Sequence, residues 1–189
     1  MLQAPRKSAV AAAANPAQGM RRPPRSKQAV RREPVMAWVA LGANLGHARA
    51  AVLQAFDALG RLPETRLLIR SGLYRSAPHE ADGPDFVNAV ALLQTGLTAP
   101  ALLDALHALE DAAGRERPYH HAPRTLDLDL LFYGDACIDS PRLTVPHPRL
   151  RQRAFVLHPL ADVSPDRVSA SDLKAVQDQP IERLKEQAS

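Results

Sequence analysis

From Met36 the chain alternates between short apolar runs and helical stripes, and the order in which they come predicts the fold. Met36 to Leu41 reads as a buried strand closed by Gly42. Ala51, Leu53, Ala55, Phe56 and Leu59 then recur at helical spacing, which predicts a helix over 47–60 ending at Gly60. Arg66 to Tyr74 predicts a second strand, 76–84 a long irregular loop, and Phe86 to Gln94 a third strand. Thr98, Ala99 and Pro100 announce a helix start, and Leu102, Leu103, Leu106, Leu109 and Ala113 keep its period to Gly114. The last strand of this series is the run Thr125, Leu126, Asp127, Leu128, Asp129, Leu130, Leu131. Strand, helix, strand, strand, helix, strand is the order of a ferredoxin-like α+β sandwich. Past Tyr133 and Gly134 a hairpin to Ile138 is expected, Phe155 to Leu160 is apolar, and a short helix is expected from about Val168, so the sandwich carries additional C-terminal strands and a helix.

The Leu/Asp alternation is where pattern becomes chemistry. Successive strand residues point to opposite faces, so Leu126, Leu128 and Leu130 build a core while Asp127 and Asp129 share the other face. An ordinary half-exposed strand would also alternate, but Asp is depleted from strands and two on one face repel. A hard divalent cation relieves that repulsion, and magnesium accepts carboxylate and phosphate oxygens together. The loop before this strand holds Arg115, Arg117 and Arg124, which beside paired carboxylates suits a polyphosphate. Glu110 lies at the C-terminal end of its helix, where the helix dipole disfavours an anion. Phe86 and Asn88 share one strand face and could grip a flat heterocycle, although on spacing alone a structurally satisfied, turn-facing Asn is the simpler reading. The turn Gly42, Ala43, Asn44, Leu45, Gly46 has neither the Lys-Ser/Thr ending of a P-loop nor a third glycine, and reads as a tight strand-to-helix turn with Asn44 in a cap or turn role.

Composition changes the picture at one end only. Residues 1–34 hold eight Lys and Arg, five Pro and one acid, a net of +7, so the rest of the 189-residue chain is slightly acidic. Residues 1–35 are therefore expected to be a disordered basic Pro/Arg/Ala-rich extension, and 36–189 one domain. The extension also admits a transit peptide or a start at Met36. The single Cys137 excludes an internal disulfide and suggests a reducing, cytoplasmic compartment. No apolar run approaches a membrane span.

Pro123-Arg124-Thr125-Leu126-Asp127-Leu128-Asp129, the preceding Gly114-Arg115-Glu116-Arg117 and the later Leu143-Thr144-Val145-Pro146-His147 together resemble the 6-hydroxymethyl-7,8-dihydropterin pyrophosphokinases of folate biosynthesis, over about 36–160. The resemblance implies transfer of the β,γ-diphosphate of ATP to the hydroxymethyl group of a reduced pterin, with release of AMP. It implies that Asp127 and Asp129 ligate two magnesium ions bridging the triphosphate, and that Arg115 and Arg124 stabilise charge at the transferring phosphorus. Glu110, Arg117, Leu130, Arg142, Thr144, His147 and Arg153 would line the ATP site, and Ser76, Pro78, Phe86, Asn88 and Phe155 the pterin site. His107, His120 and His121 stand where the family more often has other residues. Expected partners are ATP and the pterin, with no nucleic acid or membrane, and the chain is expected to act as a monomer. Two other classes stay open on the residues alone: a magnesium-dependent nuclease or phosphatase using the same carboxylates, and a nucleic-acid or membrane-surface binder acting through residues 1–34.

Overall fold

A computed structural model describes residues 32–78, 83–114 and 125–185. The expected extension 1–35 falls outside these residues except for its last four. The chain forms β1 (Val35–Ala43), α1 (Ala48–Leu59), β2 (Thr65–Arg70), β3 (Tyr74–Ser76), β4 (Phe86–Thr95), α2 (Ala99–Ala112), β5 (Asp127–Tyr133), β6 (Ile138–Asp139), β7 (Thr144–Val145), α3 (Ala154–Val163), α4 (Ala170–Ala175) and β8 (Ile181–Arg183). It is a mixed α/β fold on an antiparallel sheet ordered β5-β1-β4-β3-β8, with β2 also on β4.

β1 and β4 are the apolar central strands, paired from Val35 opposite Thr95 to Ala43 opposite Val87. Val39, Leu41, Ala89, Ala91, Leu93, Leu128 and Leu130 project from one face against Val52, Phe56, Leu59, Leu102 and Leu106 of α1 and α2. The opposite face carries Trp38, Val90, Leu92 and Leu131, covered by Ala154, Val156, Leu157 and Leu160 of α3. Each fully buried Leu or Phe contributes about 1.5–3 kcal/mol, so these layers outweigh any cap or surface pair. α2 starts as its sequence predicts, with Thr98 accepting a hydrogen bond from the Ala101 amide at 3.3 Å and Pro100 in the first turn.

Three expectations are corrected. The run Arg66 to Tyr74 is two strands, because Ser71 interrupts the ladder: its Oγ accepts the Val90 amide at 2.9 Å, a bond the backbone would otherwise make. The hairpin past Gly134 is formed by β6 with β7, a separate two-stranded sheet, instead of by the end of β5 with Ile138. Of the cap or turn role expected for Asn44, the cap is excluded because the N-cap of α1 is His47; Asn44 Nδ2 donates to the Pro84 carbonyl at 3.3 Å and ties two loops together.

Candidate active site

Cross-strand register assembles the site. Gly42 of β1 lies opposite Asp127 of β5 on one side and Asn88 of β4 on the other, and Asn88 lies opposite Tyr74 of β3. Directly opposed residues share a face, so Asp127, Gly42, Asn88 and Tyr74 form one row across the face that α3 covers farther along. Ala40 sits between Asp129 and Val90 in the next row of that face, and Ser76 faces Phe86 on the other side of the first. With strands about 4.8 Å apart, roughly 10 Å separates the carboxylate end from the amide end. Between them Gly42 provides a floor with no side chain; a Cβ there would stand 3.5 Å from Asn88 Oδ1 and 4.0 Å from a Phe86 ring carbon.

β5 ends the sheet, and two groups occupy its outer edge. Glu110, only 2% exposed, accepts the Leu128 amide at 3.0 Å, so the peptide between the two aspartates is pinned from α2. The His147 amide donates to the Leu131 carbonyl at 2.9 Å, after a cis Val145–Pro146 bond. Those two bonds bracket Asp129. A register shift opposite Trp38 and Val39 leaves Leu131 as an extra residue on β5, which turns it and Phe132 both into the α3 layer. Burial pushes the His147 imidazole below its ordinary range, with Arg153 and Arg149 adding to this and Asp129 and Asp127 opposing it. His147 Nδ1 accepts the Arg149 amide at 3.2 Å, leaving Nε2 as the donor of the neutral ring.

At the other end of the row Asn88, 4% exposed, donates to Ser76 Oγ at 3.0 Å. The satisfied-Asn reading of this residue therefore holds for one N–H. Pro78 is half-buried beyond Ser76. Tyr74 donates its hydroxyl to Asp162, and burial followed by that carboxylate pushes its pKa up to about 12. Phe155, in the first turn of α3, has the Arg153 guanidinium over its ring at 5.4 Å.

The remaining expected site residues are less gathered. Leu130 is 3% exposed with its side chain in the α1/α2 core, which leaves only its main chain for a ligand. Arg142 and Thr144 are exposed on the β6–β7 sheet side, with Arg142 paired to Asp104. His107 is exposed on α2. Arg115, Arg117, Arg124, His120 and His121 lie outside the described residues. Sequence reasoning took Gly42 only as a turn residue and missed Tyr74, since neither role is visible before the strands are set in register.

Among the described residues no three His, Cys, Asp or Glu side chains converge on a metal-sized site. The donor set is instead two carboxylates on one strand face, hard oxygen ligands that fit a divalent cation shared with phosphate.

A family model described as 7,8-dihydro-6-hydroxymethylpterin-pyrophosphokinase (HPPK) matches residues 38–165. The chain is 54% identical over 130 residues to the 2-amino-4-hydroxy-6-hydroxymethyldihydropteridine pyrophosphokinase of Pseudomonas aeruginosa, covering 68% of this chain and 80% of that one. It is 41% identical over 135 residues to the same-named protein of Haemophilus influenzae, covering 71% and 84%. A crystal structure of Plasmodium falciparum HPPK-DHPS superposes with a TM-score of 0.61 at 12% identity, covering 79% of this chain and 45% of that longer one, a likeness of fold.

Proposed function

The chain belongs to the 7,8-dihydro-6-hydroxymethylpterin-pyrophosphokinase family, and from that membership we propose that it transfers the β,γ-diphosphate of ATP to the hydroxymethyl group of 6-hydroxymethyl-7,8-dihydropterin, releasing AMP in folate biosynthesis. The observation that carries the reading to this site is the one sheet face shared by Asp127 and Asp129, in adjacent rows, and by the Asn88 amide and the Phe86 ring toward its other end.

Asp127 and Asp129 are the metal ligands in this reading, and magnesium, as two ions held jointly with the triphosphate, fits their oxygen donors. When bound, the ions neutralise phosphate charge and lower the pKa of the attacking hydroxyl. Phosphoryl transfer asks the chain itself mainly for positioning and charge, with no covalent nucleophile. Glu110 fixes the peptide that carries both aspartates, and His147 offers Nε2–H beside them. Arg117, Arg142, Thr144 and Arg153 extend the nucleotide side, with Leu130 contributing backbone, and Arg115 and Arg124 supply the cations for the transferring group. Ser76, Pro78, Phe86, Asn88 and Phe155 hold the pterin; Asn88 keeps its second N–H and its carbonyl oxygen for the ring edge.

The antiparallel β5-β1-β4-β2 part of the sheet, with α1 and α2 on one face, supports a ferredoxin-like sandwich in which β3 and β8 are additions. The active unit in this reading is a monomer. A cytoplasmic site of action fits the lone Cys137; among the described residues no helix is long and apolar enough to cross a membrane.

AMP release from ATP and magnesium, with and without the pterin, tests the reading. Pterin-dependent AMP is expected. ADP would make it a simple kinase or ATPase, and pterin-independent hydrolysis a phosphatase using the same carboxylates.

A further inference from the structure

β3 is three residues long, yet it holds Ser76 against Asn88 and brings Tyr74 into the site row. Three paired residues are a weak determinant of register, and the chain on both sides of β3 leaves the ladder. The side chain that grips it comes from the far end of α3. Asp162 accepts the Gly72 amide at 3.0 Å and the Tyr74 hydroxyl at 3.0 Å to each carboxylate oxygen. It also faces Arg183 Nη2 of β8 at 3.5 Å, while the Arg183 guanidinium lies over the Tyr74 ring at 5.9 Å. Gly72 gives Arg183 its passage, because a Cβ there would come within 2.8 Å of Arg183 Nε. β8 then closes the outer edge of β3, from Tyr74 opposite Arg183 to Ser76 opposite Ile181, and the Leu184 amide donates to the Leu73 carbonyl at 2.8 Å.

We propose that Asp162, acting through Tyr74 and the Arg183-bearing C-terminal strand, is a positioning residue for the pterin end of the site, holding β3 so that Ser76 fixes the rotation of the Asn88 amide. This rests on the reading of Asn88 and Ser76 as pterin contacts. Asp162 itself touches no ligand in this scheme. Its effect is directional: it bears on the amide end of the row and leaves the carboxylate end, held separately by Glu110 and His147, untouched. The Asp162 carboxylate can only accept, so the Tyr74 hydroxyl is the donor of this link.

Steady-state KM values for pterin and ATP, measured with kcat and thermal midpoint on the full chain, test this in Asp162→Ala, Asp162→Asn, Tyr74→Phe and Asn88→Ala. Asp162→Ala should raise the pterin KM about tenfold, the scale of one lost hydrogen-bonded link, with the ATP KM within about twofold of the parent. Asp162→Asn, whose amide oxygen still accepts from Gly72 and Tyr74, should recover most of that loss. An equal rise in both KM values, or a loss of kcat alone alongside a lower midpoint, would mean a general scaffold role and overturn the proposal. Should Asp162→Ala fail to fold, Tyr74→Phe decides: a selective rise in pterin KM supports the link, and an unchanged pterin KM overturns it. Asn88→Ala separates the two levels. If it leaves the pterin KM unchanged, the pterin assignment itself fails and the proposal with it; if it raises the pterin KM while Asp162→Ala does not, only the proposal fails.

Discussion

Glu110 is a buried carboxylate whose oxygen accepts the amide between two other carboxylates. Removing it strands the Leu128 N–H, so Glu110→Ala should cost about 1–3 kcal/mol of stability and lower turnover by disturbing both aspartates. Glu110→Gln keeps an acceptor oxygen and should recover most of the stability in a denaturant melt. Asp127→Ala and Asp129→Ala should behave in the opposite way: turnover falls by roughly 10²–10³ or more while the midpoint barely moves, since the loss is charge stabilisation at the transition state. Gly42→Ala separates space from fold. Its new methyl meets Asn88 and Phe86 only at ordinary contact distances, so folding should survive, but the floor between the two ends rises and pterin binding, followed by calorimetry, should weaken. At this scale the sequence was half legible. The Leu126 to Leu130 alternation states its own faces because strand period is local, and the odd position of Glu110 was visible as a carboxylate at a helix C-terminus. What Glu110 binds was not, because its partner is a backbone amide that every residue type carries.

Among elements, α1 and α2 were readable within a residue or two, because Gly60, Thr98 and Pro100 mark their ends chemically. The β2–β3 break was not, since nothing in the residue type of Ser71 says that its hydroxyl will replace a ladder bond. α4 offers a test of local chemistry. Ser169 and Asp172 form a capping box, and Arg151 lies 2.5 Å from the Asp172 carboxylate. The hydroxyl and amide of Ser169, then Arg151, hold the Asp172 carboxyl at about 2, below its usual 3.8. A folded value below the unfolded one means that this support is complete above about pH 3.8 and disappears as pH falls through about 2. Asp172→Asn should therefore melt below the parent near neutral pH, with the gap closing progressively between pH 4 and 2. A gap of constant size would rule the carboxylate charge out as the cause.

For the molecule as a whole, the basic extension and the acidic domain are separable in composition, and the pairing of β1 with β4 begins at Val35 opposite Thr95. A chain starting at Arg32 should retain turnover, and an inactive but folded one would show that the extension takes part in catalysis. The site row has a different consequence, which concerns time. Its four members come from β5, β1, β4 and β3, joined by the pairing of Gly42 with Asn88 on one side and Asp127 on the other and of Asn88 with Tyr74, so the row is complete only after distant parts of the chain have zipped together. Such non-local pairing closes late in folding. A ligand that needs the whole row binds the finished state and gives little help to the transition state before it. Saturating nucleotide or pterin should therefore slow unfolding and leave the refolding rate where it was.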